Sequence, residues 1–69
     1  INQDNIKAYY GRGFAYYQLG QYDKAIEDFN KAIELNSSFT EAYYVRGLAY
    51  LGSGQYDKAI EDFNKVISF

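Results

Sequence analysis

Two arginines and two aspartates are of a type that could form ion pairs, and each recurs 34 positions along the chain, as Arg12 and Arg46 and as Asp28 and Asp62. A guanidinium and a carboxylate can form a bidentate hydrogen-bonded ion pair. Each arginine is predicted to lie on a partly buried helix face, where a guanidinium needs a carboxylate partner. We therefore expect a structural ion pair, either within one copy of the repeated segment or across the junction as Asp28 to Arg46. A ligand-binding arginine and a solvated arginine are the alternatives.

Other reactive groups are scarce. The chain has neither cysteine nor histidine, so it offers no thiolate or imidazole for a metal or a nucleophile. Its carboxylates are interleaved with lysines, which indicates a solvated helix face, as at Asp23, Lys24, Glu27, Asp28, Lys31 and Glu34. No glycine-rich phosphate loop or calcium-loop spacing is present. We expect no catalysis, no cofactor and no metal.

The composition narrows the class of partner. A net charge of −2 and a pI near 4.8 argue against a nucleic-acid partner, which needs a basic surface. No apolar run approaches the roughly 18 residues of a membrane span. The chain is 48% hydrophobic and 20% aromatic, so it favours a folded domain over disorder. The composition therefore argues against nucleic acid and a membrane as partners.

Internal repetition determines the architecture. Residues 8–35 and 42–69 are identical at 20 of 28 aligned positions. Apolar residues recur at steps of three and four in both copies, which predicts helices over residues 6–19, 22–35, 39–53 and 56–69. Gly20 supplies a stop after the first helix. Ser38 and Glu41 form an S-x-x-E pattern that predicts a capping box for the third helix.

The residue types at the recurring positions resemble the tetratricopeptide repeat, a 34-residue helical repeat. The matching positions are Tyr9, Arg12, Gly13, Tyr16, Ala25, Phe29 and Ala32, then Tyr43, Arg46, Gly47, Tyr50, Ala59, Phe63 and Val66. Tyrosine stands where the family usually has tryptophan, arginine where it usually has leucine, and Ser37 where the closing proline is common. The tyrosines at repeated positions are predicted to place their rings in the core, namely Tyr9, Tyr16, Tyr22, Tyr43, Tyr50 and Tyr56.

The resemblance implies an all-α fold, with two antiparallel helix-turn-helix repeats stacked as a short right-handed superhelical solenoid. It divides the chain into the end of a preceding repeat or an N-terminal lead-in at residues 1–5, a first repeat at 6–39 and a second at 40–69. Ile1 takes the register of the last residue of a preceding repeat. The implied function is a protein–protein interaction scaffold without catalysis.

The resemblance further implies where a partner protein or peptide binds. In this family the first helix of each repeat usually presents the concave, peptide-binding face. The positions in that register are Lys7, Tyr10, Phe14, Tyr17, Gln18, Glu41, Tyr44, Leu48 and Leu51. The signature assigns the core to other residues, so we expect the apolar members of this set to be exposed, and an exposed apolar patch usually marks a contact.

A homo-oligomer is the rival interpretation. A terminal repeat normally needs a capping element with a polar outer face. The last helix instead carries the apolar residues Ile60, Phe63, Ile67 and Phe69. An equivalent helix of a second chain could cover them, by stacking or by exchange of a helix pair. The alternative function is therefore a structural self-assembly module.

Overall fold

Four α-helices account for nearly all of the described chain. The computed structural model describes residues 3–69, and Ile1, with its predicted place in a preceding repeat, lies outside them. The helices are α1 (Gln3–Gln18), α2 (Tyr22–Leu35), α3 (Thr40–Gly52) and α4 (Tyr56–Ser68). No strand occurs in residues 3–69.

The first helix begins earlier than predicted. Residues 3–5, expected in a lead-in, form the first turn of α1. Neither proline nor glycine interrupts the chain before Ile6, and Asp4 lies in the first turn, where a negative charge interacts favourably with the helix dipole. The helix therefore extends backward from Ile6 to Gln3.

Each repeat turns at a glycine with positive φ. Gly20 has φ of 77° and Gly54 has φ of 83°, values that residues with a Cβ rarely adopt. The Gln21 amide donates to the Tyr16 carbonyl at 2.9 Å, and the Gly20 amide donates to the Tyr17 carbonyl at 3.0 Å. This is the Schellman pattern of helix termination. It reverses the chain, so that α2 returns along α1.

The predicted capping box at the start of α3 is wrong. The helix begins at Thr40 with Phe39 as its N-cap, and no side chain caps it. Ser38 takes part in the preceding turn instead, where its amide donates to Asn36 Oδ1 at 3.1 Å. The Phe39 ring packs on Tyr10, with 4.9 Å between ring centroids. With Ser38 as its N-cap, the helix would begin at Phe39. It begins one residue later, and Phe39 contacts α1.

The N-terminus of α2 also lacks a side-chain cap, and this leads to a prediction. Gln21 is the N-cap, and its side chain makes no capping hydrogen bond. Gln21→Asp should raise the free energy of unfolding by about 0.5–1 kcal/mol, because aspartate can accept from the exposed amides and carries a favourable charge there. Urea unfolding measures the change, and Gln21→Ala, which cannot cap, should give no gain.

The core lies at the junction between the two repeats. α1 packs on α2, α3 packs on α4, and α2 packs on α3, whereas α1 and α3 touch only slightly. The buried cluster comes from both sides of the junction, with Ala25, Ile26 and Phe29 on α2 and Val45 and Ala49 on α3. Half-buried tyrosines pack around it. Neither helix pair could bury this surface alone, so the repeats stabilise each other.

The molecule is a thin slab. Its Cα dimensions are 32 × 29 × 13 Å. Each of the four helices has exposed residues on one side. No helix within residues 3–69 is long and apolar enough to cross a membrane.

Candidate functional site

Each arginine pairs with the aspartate of its own repeat. Arg12 Nε and Nη2 donate to the two carboxylate oxygens of Asp28, both at 2.8 Å. Arg46 does the same to Asp62, at 2.8 and 2.6 Å. Both aspartates are buried. The structure thus has the within-repeat arrangement, and Asp28 does not reach across to Arg46.

The contact across the junction involves an asparagine. Arg46 Nη1 donates to Asn30 Oδ1 of the preceding repeat at 2.8 Å. The Arg46 side chain is only 16% exposed, whereas that of Arg12 is 62% exposed. The difference arises because α2 covers the outer side of α3, while no described helix covers that side of α1. Arg46 therefore forms a hydrogen bond that joins the two repeats.

Aromatic rings flank the half-buried Arg46 guanidinium. The Arg46 guanidinium carbon lies 5.4 Å from the Tyr43 ring centroid and 5.7 Å from that of Tyr50. A lysine approaches each ring as well, with Lys65 Nζ 5.9 Å from the Tyr43 centroid and Lys58 Nζ 5.8 Å from the Tyr50 centroid. Each ring thus lies near two cations, a favourable arrangement at these distances.

Among residues 3–69, the pKa values of Tyr10, Arg12 and Arg46 are shifted. The hydrogen bonds to Asp28 and its charge raise the pKa of the Arg12 guanidinium. The hydrogen bonds to Asp62 raise the pKa of Arg46 in spite of its burial. Burial raises the pKa of the Tyr10 hydroxyl, and the nearby Glu41 charge raises it further. Arginine is a cation at neutral pH in any case, and the ion pairs favour that charged form further, so both side chains suit ion-pair partners and not proton donors.

An apolar row runs along α1 and continues on α3. We call it the inner row, and it comprises Tyr10, Phe14, Tyr17, Tyr44, Leu48 and Leu51. Positions three and four apart share one face of a helix, so the three members on each helix are neighbours. α1 and α3 touch each other, so the two halves of the row lie on adjacent helices. Lys7, Gln18 and Glu41 are exposed beside it.

Burial divides the inner row into anchored and open members. Phe14, Tyr44 and Leu51 are exposed, as expected, whereas Tyr10, Tyr17 and Leu48 are half-buried. Tyr10 and Tyr17 both pack on α2, where Tyr10 lies 5.9 Å from the Phe29 ring and Tyr17 lies 5.9 Å from the Tyr22 ring. The expectation that all six are exposed is therefore wrong for the half-buried three. The surface thus combines three half-buried side chains with three exposed apolar ones.

The end of α4 is apolar and exposed, with one exception. Ile60, Ile67 and Phe69 are exposed. Phe63 is half-buried, because its ring lies over Gly47 and packs 5.9 Å from Tyr44. The prediction that Phe63 belongs to the open end is wrong, since the ring fills its own repeat.

The tyrosine at the start of α4 also differs from its prediction. Tyr22 packs against Gly52 of the next repeat, so close that a Cβ at Gly52 would collide with the ring. Its counterpart Tyr56, predicted in the core, is 63% exposed. No helix follows α4 among the described residues, so the surface that buries Tyr22 has no equivalent for Tyr56.

Two features of this region escape sequence reasoning. The first is the Asn30–Arg46 bond, although Asn30 recurs as Asn64 and lies 16 positions before Arg46, the same spacing as Arg12 to Asp28. The second is the approach of lysines to Tyr43 and Tyr50. No cluster of three or more metal-ligating side chains occurs in the part of the chain that the structure describes.

Comparisons with known proteins agree with this architecture. A sequence model of the tetratricopeptide repeat matches residues 6–39 and 40–69. A crystal structure of MamA is similar with a TM-score of 0.89 and 41% identity, covering 91% of this chain and 37% of that one. A second crystal structure of MamA gives a TM-score of 0.86 and 41% identity, covering 91% and 34%. No curated protein sequence matches the chain.

The chain spans little more than a third of the length of the MamA chains. The matches therefore support the fold and not the function of a whole protein. The four helices and the absence of strands in residues 3–69 confirm the predicted all-α fold of two helix-turn-helix repeats. The family match covers both repeats and confirms the resemblance. The protein therefore belongs to the tetratricopeptide repeat family, whose repeats generally mediate protein–protein interaction.

Proposed function

We propose that the chain is a non-catalytic scaffold that binds an apolar segment of a partner protein or peptide on the inner row. The observation that carries this proposal is the exposure of Phe14, Tyr44 and Leu51 beside rings that are already packed. Exposed apolar groups collected on one surface usually mark a contact. Scattered single residues would carry no such meaning.

The packing of the inner row supports tight binding by a small surface. Tyr10 packs against Phe39, and Tyr17 packs against both Phe14 and Tyr22. Rings held in this way lose little freedom when a partner arrives, which lowers the entropic cost of association. Tyrosine also offers a hydroxyl at the edge of each ring for hydrogen bonds to a peptide backbone. The exposed polar residues beside the row, Lys7, Gln18 and Glu41, supply a polar rim.

The contribution of Tyr44 gives a direct test of this proposal. Peptides would be selected from a displayed random library against the parent chain, and their affinities measured by isothermal titration calorimetry. Tyr44→Ala should weaken the selected peptides by about tenfold or more, as expected for an aromatic hot spot. Tyr56→Ala is the matched control, because Tyr56 is 63% exposed and Tyr44 is 49% exposed, yet only Tyr44 lies on the inner row.

Equal affinity for the parent and Tyr44→Ala would contradict the proposal, provided that Tyr44→Ala keeps the parent's circular dichroism spectrum. A loss confined to Tyr56→Ala would place the binding surface on α4 instead. Both variants remove one ring from the surface, so a general loss of apolar area cannot explain a difference between them.

Self-association is a second candidate function, and a separate observation favours it. Ile60 is 56% exposed, whereas its counterpart Ile26 is 9% exposed. Ile67 and Phe69 extend the same apolar end. Covering such a surface is favourable by about 25 cal/mol for each Å² of apolar area removed from water. A second chain is one source of that cover.

A further inference from the structure

We propose that the chain associates head to tail, with the outer side of α4 in one copy docked on the outer side of α1 in the next, in the geometry of its own α2–α3 junction. This inference rests on the self-association proposed above. It adds which helix surfaces meet, which hydrogen bond sets their register and which side chain limits how closely they pack. The occupant is a second copy of this chain. The internal junction provides the template, because α1 and α4 repeat its two halves, with no other described helix of residues 3–69 against their outer sides.

The receiving side is on α1. In the internal junction α3 presents Ala42, Val45 and Ala49, all buried. Their counterparts 34 positions earlier are Ala8, Gly11 and Ala15, all exposed. Their side chains are as small as, or smaller than, those of α3, so a helix could approach at least as closely. The open side of α1 therefore has the shape that α3 uses to receive α2.

The docking side is on α4. In the internal junction α2 presents Tyr22, Ile26 and Ile33, which are buried or half-buried. Their counterparts Tyr56, Ile60 and Ile67 have the same residue types and are exposed. An α4 that met α1 of another copy would bury the groups that α2 buries against α3. Because the two surfaces differ, the contact is heterologous and can add further copies at either end.

A polar contact would fix the register of this junction. Arg46 reaches Asn30 through Nη1 while Nε and Nη2 hold Asp62. Arg12 uses the same Nε and Nη2 for Asp28, and its Nη1 has no hydrogen-bond partner in residues 3–69. Asn64, the counterpart of Asn30, is exposed on α4. In the docked arrangement Asn64 Oδ1 of one copy would accept from Arg12 Nη1 of the next.

One position makes the intermolecular junction weaker than its internal template. Tyr22 occupies space above Gly52 that a Cβ would fill. The counterpart of Gly52 on α1 is Gln18, which has a Cβ and a long side chain. Docking would bring Tyr56 of one copy against Gln18 of the next and force the ring aside. Gln18 therefore limits the strength of association.

Sedimentation velocity over a wide range of concentration tests this geometry on the full chain. Gln18→Gly should tighten association about five- to tenfold, because it removes the overpacked Cβ. Gln18→Ala keeps that Cβ and should tighten it much less. Asn64→Arg should weaken association by at least about tenfold, because it sets a second cation against Arg12. Circular dichroism checks that each variant remains folded, which is expected for exposed positions.

A gain with Gln18→Gly that Gln18→Ala does not share, together with the loss for Asn64→Arg, would support the proposed junction. Self-association that is indifferent to all three changes would overturn the junction and leave self-association intact. A monomer at every concentration, including for Gln18→Gly, would overturn both. Peptide binding by the inner row is measured separately and does not depend on any of these outcomes.

Discussion

Arg46→Leu is expected to lower the free energy of unfolding by about 3–5 kcal/mol, because removing one partner leaves the other charge buried and uncompensated. The carboxylate left behind, Asp62, is almost fully buried, and Asn30 loses its partner across the junction. A loss of this size is a large part of the stability of a small domain. Urea unfolding followed by far-ultraviolet circular dichroism measures it.

The repeat supplies the control for this change. Arg12→Leu removes the same side chain from the same register, but Arg12 is largely exposed and has no junction partner within residues 3–69, so its loss should be smaller. The double variant Arg46→Leu/Asp62→Leu should recover much of the stability, because replacing both charges by apolar groups removes the unpaired charge. Parent-like stability in Arg46→Leu would show that the ion pair does not hold the fold together.

The second large effect is expected at Gly13, where Gly13→Ala should destabilise the chain by about 1–3 kcal/mol. A Cβ there would lie 2.8 Å from the Phe29 ring. Phe29 is fully buried in the junction core, so its ring has no room to retreat. The overpacking would force a shift of the ring or of α1 against α2. Thermal and urea unfolding both report the loss.

Gly11→Ala is a control for which the expected change in stability has the opposite sign. Gly11 lies in the same helix, and no atom outside its chain neighbours and the adjacent helix backbone lies within 4 Å of the position that a Cβ would take there. Gly11→Ala should therefore stabilise by about 0.4–1 kcal/mol through reduced unfolded-state freedom. Gly47→Ala meets Phe63, which is only half-buried and can give way, so its cost should fall below that of Gly13→Ala. A stabilising Gly13→Ala would contradict the close approach of α1 and α2.

The helices were predictable because their determinants are local. The apolar period and the glycine stops predict α2 at Tyr22–Leu35, as found. Helix starts were harder to predict. The S-x-x-E pattern indicates a cap at Ser38, but helix α3 begins beyond it, where Phe39 packs on Tyr10. That contact joins residues far apart in the chain, and a local pattern does not contain it.

The burial of a residue could be predicted from the repeat only where both copies have an equivalent neighbouring helix. Tyr22 and Tyr56 occupy identical positions in identical local sequences, yet one packs at the junction and the other is exposed. The same holds for Ile26 and Ile60. Sequence register gives a residue its face on the helix, but the next helix decides whether that face is covered. The Asn30–Arg46 bond belongs to this class, since it exists only across a junction.

The most direct test of the account is to map where a selected peptide binds the isotope-labelled chain, using amide chemical shifts measured by NMR. Binding on the inner row predicts shifts concentrated around Phe14, Tyr44 and Leu51, with the outer side of α4 unchanged. Shifts confined to Tyr56, Ile60 and Ile67 would contradict that account and place partner recognition at the end of the repeat stack.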